Sequence, residues 1–407
     1  MTSGRLSVVV VSRHRAEALR RCVVALRQQI GATIELVVVA DPAGCAAIDA
    51  PDLCAIVFDR ANISQARNLG LARTTAEIVA FLDDDAVPEP TWAARLMAAS
   101  QMAGAVSATG YVLGRNGISY QWRAAEVDGM GQDHPLDLPG DGPYVLTGSP
   151  GRAIKTQGTN CAFDAEKLRA IGGFDPCFRF FLDETDVNLR LSLAGPTVVA
   201  PLALVHHGFL ASARRNAARV PLSLHEIAAS TAVFLRKHAA AQIAEGRDAL
   251  WHEQSARLRH LRRRLRLNRA GESRLLETLA AGWADGLARP ISDLRPVLPA
   301  GDALRPLETT ASGAGRVISG WSWQEADLRA EALRARAKGE IVSLLCLSPG
   351  VRRHWQVFDP AGYWVETGGV WGRTVRDRPP PLGQGIAACH AAYIARISPF
   401  RPTASAG

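Results

Sequence analysis

The chain has 407 residues, 47% of them hydrophobic and 21% charged, which is ordinary globular usage and excludes a disordered polymer. At about 150 residues per domain, two or three domains are expected. No run of about 18 apolar residues occurs, so no membrane-spanning helix is expected. The short apolar run near Met1 ends in Arg13 and Arg15, unlike a secretory signal. Seven scattered cysteines without a Cys-x-x-Cys pair fit a reduced cytoplasm rather than a disulfide scaffold or zinc ribbon. The formal charge of +8 is concentrated: seven arginines and no acid lie between Arg257 and Arg269.

In chain order, Ser7–Val11 is a continuous β-branched run, the mark of a strand buried on both faces. Leu19, Cys22, Val23, Leu26 and Ile30 then recur at helical spacing. Ile34–Val39 is a second buried strand, closed by Asp41-Pro42, and Ala55–Phe58 a weaker third. A helix is expected near Ser64–Arg73, and a strand at Glu77–Leu82 runs into three aspartates. Pro88 and Pro90 open a further helix through Leu96. Strands separated by helical patterns predict βαβ units on a parallel sheet.

Residues 114–157 are rich in Gly, Pro and Asp, lack any period, and read as a long loop. A strand at Thr159–Phe163 and helices at Asp164–Ile171 and Asp183–Ala194 follow, then strand-like Thr197–Val205 and His206-His207. Residues 216–290 read as helices, and 290–306 as a proline-punctuated linker. Beyond it a strand at Arg316–Ser322, a helix at Ala326–Ala337, a strand at Glu340–Ser348 and a hairpin within Trp355–Thr367 are expected. The expected division is therefore an α/β domain over residues 1–215, a helical Arg-rich extension and linker over 216–300, and a small α/β domain over 301–407.

The sharpest chemical feature is Asp83-Asp84-Asp85 at the carboxyl end of a buried strand, where ligands of open α/β sheets sit. Three adjacent carboxylates repel one another unless a positive group offsets them. A hard divalent cation with a phosphate-bearing substrate does so; an exposed acidic turn capping the next helix is the plainer account. Asp183-Glu184-Thr185-Asp186 opens a helix, where acids favour the positive dipole end, or supplies a general base. His206-His207 and the helix-opening Ser64–Asn68 segment, with Arg67, are further candidates.

Their order along the chain is more specific than any one of them. Ser12-Arg13-His14-Arg15 ends the first strand, and Asp41 follows the second. Then come Ala66-Arg67-Asn68-Leu69-Gly70, the aspartate triplet, Gly158–Phe163, Ile171-Gly172-Gly173-Phe174-Asp175, the Asp183 acids and His206. Over about residues 5–210 this resembles the family 2 glycosyltransferases of bacterial cell-surface polysaccharide synthesis, which have the GT-A fold. The resemblance implies a UDP-, GDP- or TDP-sugar donor, a glycan or lipid-linked hydroxyl acceptor, inversion at the sugar, and Mg2+ or Mn2+ as cofactor. It implies that Ser12, Arg13 and Asp41 line the nucleotide, and that Arg67 lies near base and diphosphate. Asp83 would contact ribose and cation, with Asp84 supporting, and Asp85 the metal. His206 or His207 would complete the metal site, and the Asp183-Glu184-Thr185-Asp186 segment would carry the base. Glu184 stands where the family usually has Asp, so Asp183 and Glu184 both remain candidates.

A sugar-phosphate nucleotidyltransferase or a degenerate binding module are the alternatives. The former usually carries a Gly-rich loop after the first strand, and Ser12–Arg15 contains no glycine. Leu258, Leu261 and Leu265 among the arginines fit either a helix lying on an anionic membrane, peripheral to its inner face, or the solvated face of a helix packed on the first domain. Nucleic acid is not expected, since no aromatic platform accompanies the arginines. Trp321, Trp323, Trp355, Trp364 and Trp371 read as core or interface anchors, or as sugar-stacking surfaces.

Overall fold

The computed structural model describes residues 4–208, 210, 214–216, 218–291, 293–301, 303–375 and 383–403. The chain begins β1 (Arg5–Ser12), α1 (Ala16–Leu26), β2 (Thr33–Ala40), α2 (Pro42–Ala47), β3 (Cys54–Val57), α3 (Ile63–Arg73) and β4 (Ile78–Asp83). Next come β5 (Ala86–Pro88), α4 (Trp92–Ser100), β6 (Ser107–Leu113), β7 (Tyr120–Trp122), β8 (Ala125–Asp128), β9 (Asp133–Pro135), β10 (Tyr144–Leu146) and β11 (Arg152–Ile154). β12 (Asn160–Asp164), α5 (Ala165–Ala170), α6 (Asp183–Leu191) and β13 (Thr197–His207) complete the first part. Three helices follow, α7 (His225–His238), α8 (Ile243–Arg263) and α9 (Arg269–Ala288). The last part holds β14 (Gly315–Trp321), α10 (Glu325–Ala337), β15 (Ile341–Ser348), β16 (Trp355–Asp359), β17 (Tyr363–Gly369) and α11 (Ile386–Ile397).

The main sheet runs β10-β13-β6-β12-β4-β1-β2-β3, and the fold is α/β with a mostly parallel central sheet. β1 pairs in parallel with both β2 and β4, and its alternate residues face two separate cores. Leu6, Val8 and Val10 pack with α1 and α4, while Val9 packs with α3, α5 and α6. Burial on both faces is why this strand is continuously apolar. Because β1, β2 and β4 are parallel, Ser12, Asp41 and Asp83 emerge at one edge. β12 runs antiparallel beside β4 with Asn160 opposite Leu82, so Gly158 and Thr159 arrive at that same edge.

Two expectations needed correcting. Residues 114–157 are not a structureless loop: β8, β9 and β11 form a small sheet of their own, while β7 and β10 edge the main one. Strands of three or four residues are too short to display alternation. The 290–306 linker is a strap laid across the first part of the chain. Val297, Ala300 and Leu307 donate backbone hydrogen bonds to Arg169, Ala72 and Ile34, and Val297, Leu304 and Leu307 pack on the two cores. The C-terminal sheet, β14-β15-β17-β16, shares a core with the main sheet: Tyr111, Leu113, Val199 and Leu204 meet Leu345, Leu347, Tyr393 and Phe400.

Candidate active site

The three aspartates have three different environments. Asp84 is fully buried, accepting from Ser12 Oγ at 2.7 Å and Arg15 Nε at 3.0 Å. Its pKa is pushed up to about 7, because burial and the charges of Asp85 and Asp83 outweigh Arg15 and Ser12. Asp85 accepts the Leu210 backbone N–H at 2.9 Å and stands 3.3 Å from Arg15 and 3.4 Å from His207 Nε2. Burial would raise its pKa, but His207 and Arg15 overcome that and hold it well below the ordinary carboxylate range. Asp83 is partly exposed and accepts from Thr159 Oγ1 at 2.7 Å.

Asp83, Asp85 and His207 each offer a ligand atom, all within 4.8 Å of one another. His207 Nδ1 faces Gln121 Oε1 at 3.0 Å. With an ion between His207 and the acids, the Nδ1 proton would be donated to Gln121 and the Nε2 lone pair left for the ion, the arrangement metal-ligating histidines use. Two carboxylates and an imidazole at a phosphate-accessible strand edge fit a divalent cation such as Mn2+ or Mg2+. A second acid–histidine group, His225, Glu226 and Asp285, is spanned instead by Arg289, which bonds both carboxylates, at 3.0 and 2.6 Å.

The second acidic segment is tied to the first by one arginine. Arg67 is buried between Phe81 and Phe174, its guanidinium 5.9 and 5.1 Å from their ring centres. It pairs with Asp183, donates to the Gly158 carbonyl at 3.0 Å and stands 3.7 Å from Asp83. Glu184, half-buried at the start of α6, has no hydrogen bond from another described residue. Burial, then the Asp183 charge, push its carboxyl up to about 7 against the pull of Lys155 and Arg67. The backbone entering α6 is strained: Phe181 and Leu182 have φ of 73° and 63°, in the left-handed region that bulky residues avoid.

The remaining candidates divide. Asp41 is buried and accepts the His14 backbone N–H at 2.7 Å, fastening the loop after β1 to the end of β2. Arg13 bonds Asp59 at 2.7 Å. His206 lies apart from the acids: adjacent strand residues face opposite sides, and its Nε2 meets Glu89 while its ring tilts over Trp364 at 4.4 Å. Asp186 is also apart, fully buried among Arg190, Lys237 and His238 at 2.8, 2.7 and 2.9 Å. Those partners, against burial, hold it well below its ordinary pKa, and it fastens α6 to α7.

Three contributors escaped the sequence reading. Arg15 was visible as a cation in a basic loop, and its pairing with the triplet was the missing positive charge. Thr159 lay inside a quoted segment without a role. Gln121 had no signal at all, since it stands in an apparently unstructured stretch.

Residues 7–153 match the family described as Glycosyl transferase family 2. No curated protein matches. Among solved structures, one of GalNAc-T7 with UDP, GalNAc and Mn2+ is similar at 20% identity and a TM-score of 0.39, over 50% of this chain and 43% of that one. This chain thus spans less than half of that protein. The mannosyltransferase PcManGT from Pyrobaculum calidifontis, in complex with GDP-Man and Mn2+, is similar at 16% identity and a TM-score of 0.41, over 70% of this chain and 87% of that one. The matched segment, residues 7–153, includes the aspartate triplet at the ends of its parallel strands, and over that segment this chain is similar to the family 2 glycosyltransferases.

Proposed function

We propose that the protein transfers a sugar from a nucleoside-diphosphate donor to an acceptor hydroxyl, with inversion and with a divalent cation. The observation that carries this reading is the convergence of Asp83, Asp85 and His207 within 4.8 Å at the strand edge. Ser12, Arg13 and Asp41 flank the nucleotide on the β1–β2 side, Asp83 faces ribose and cation, and Asp84 holds Arg15 in place. When bound, the cation neutralises charge that builds on the diphosphate as the sugar leaves. Arg67 adds a fixed positive charge nearby. Glu184 takes the acceptor proton, the acceptor oxygen bonds the anomeric carbon, and the bond to the diphosphate oxygen breaks on the opposite face. Asp183, neutralised by Arg67, positions that arginine and is not the base.

A cell-surface polysaccharide or glycolipid is the product class. No helix among the described residues is long and apolar enough to cross a membrane, and we place the enzyme at the cytoplasmic face, peripheral to an anionic surface. The test is a melting-temperature screen of UDP, GDP and TDP with Mn2+. One nucleotide should raise the melting point in the parent and none in Asp85→Ala; no shift with any of them in the parent rejects the reading.

A further inference from the structure

Between the β6–β7 edge and the start of β16 lies a cavity of about 530 Å³. Arg115, Arg219, Arg353 and Arg373 line it together with Tyr120 and Trp355, and among the described residues no acid does. Among the described residues, Arg115, Arg353 and Arg373 have no carboxylate partner. Arg219 is presented on a tight turn with φ of 64°, its N–H bonded to the Asn216 carbonyl at 2.9 Å. Burial first, then Arg215, Arg115 and Arg257, lower its hold on its proton, so like charges do crowd here. A polyanion seated among them relieves that repulsion, and guanidinium forks suit phosphate oxygens in pairs. Tyr120 and Trp355, 43% and 45% exposed, add aromatic faces for a sugar ring or an isoprenoid chain.

The position of the cavity identifies which substrate would use it. Gln121 lines its wall and holds His207 at 3.0 Å, and His207 stands 3.4 Å from Asp85. Ser12 and Asp41 lie on β1 and β2, across β4 and β12 from β6 in the strand order. The cavity therefore opens beside the candidate metal centre on the flank away from the nucleotide. We propose that it holds the phosphate end of the acceptor, a saccharide carried on a phosphate or diphosphate. This rests on the transferase reading above.

The test is calorimetric titration of the full chain, with Mn2+ and the best-shifting nucleotide filling the donor side. The probes are α-glucose 1-phosphate, geranyl diphosphate and neutral methyl α-glucoside. Both phosphates should bind and the neutral glycoside should not. Arg353→Ala/Arg373→Ala should weaken phosphate binding about tenfold or more, and Arg353→Lys/Arg373→Lys should recover part of it. The nucleotide melting shift should persist in the alanine pair, whereas Asp85→Ala should lose that shift and still bind geranyl diphosphate. Tighter geranyl diphosphate identifies a lipid carrier, and tighter glucose 1-phosphate a soluble sugar phosphate. Equal binding of the neutral glycoside, or phosphate binding within twofold of the parent in the alanine pair, overturns the proposal. If no nucleotide shifts the melting point while the phosphates still bind, the donor reading fails and the anion site stands.

Discussion

Two neighbouring acids, Asp183 and Glu184, differ in chemistry because one arginine bonds directly to the first and acts on the second only at a distance. Arg67 neutralises Asp183, while Glu184 is left half-buried with Asp183 beside it and Lys155 as a compensating charge. Such a division of titrating environments is how a base and a charged neighbour can be told apart, and it makes the proposed role of Glu184 testable. A base must be unprotonated, so kcat/KM should rise about tenfold per pH unit below 7 and level off above it. Glu184→Gln should lower transfer by about 10²–10⁴ at pH 8 while leaving the nucleotide melting shift intact. The folded-state pKa lies above the ordinary value, so this group's stabilisation is full below pH 4.5 and lost as pH rises through about 7. The glutamine variant should therefore melt no lower than the parent at pH 8 despite being inactive. A flat pH profile, or an active glutamine variant, would remove Glu184 from the reaction.

At the scale of elements, the α8–α9 turn is the part most exposed to a surface. Leu265, 92% exposed with φ of 55°, stands at its tip between Arg264 and Arg266, with Arg263 also exposed. Each arginine near an anionic bilayer is worth about 1 kcal/mol, and a leucine at the tip adds an apolar foot. The parent should cosediment with phosphatidylglycerol-containing vesicles and not with pure phosphatidylcholine. Leu265→Glu with Arg263→Glu and Arg264→Glu should abolish it, and unchanged sedimentation would leave the cluster a solvated helix end. These helices were legible because residues 216–290 are rich in Ala, Leu and Arg and almost free of proline. The strand β6 was not: its sequence Ser107–Leu113 includes Gly110, where a Cβ would meet the Ala203 carbonyl at 1.8 Å. Close backbone approach demanded a small residue there and erased the apolar run that marks a strand. Gln121 was hidden because β7 is only three residues long, too short to show alternation, whereas the acid triplet was readable because it ends a strand buried on both faces. The His206-His207 pair was visible, but only strand alternation decides which ring faces the acids.

Over the whole molecule, the C-terminal region reads in sequence as a small α/β domain of its own, yet a polar link from it is fully buried against the first part of the chain. Arg401 donates from Nε and a terminal nitrogen to the two oxygens of Glu89, each at 2.6 Å, and its guanidinium lies 3.9 Å from the Trp364 ring centre. Glu89 also holds His206, so this single carboxylate joins β13, the segment leading into α4 and the C-terminal region. Burial would raise its pKa, and Arg401 and then His206 keep it low. Removing one member of a buried pair strands the other charge, at a cost of about 3–5 kcal/mol, whereas removing both costs far less. Arg401→Met should thus lower the melting temperature by several degrees, and Glu89→Gln/Arg401→Met should regain much of the loss. A chain ended before β14 should aggregate, since it uncovers Tyr111, Leu113, Val199 and Leu204. Strictly additive single and double variants would show that the pair is not what couples the regions. The shared apolar core would then carry the attachment alone, and the truncated chain would remain the more severe lesion.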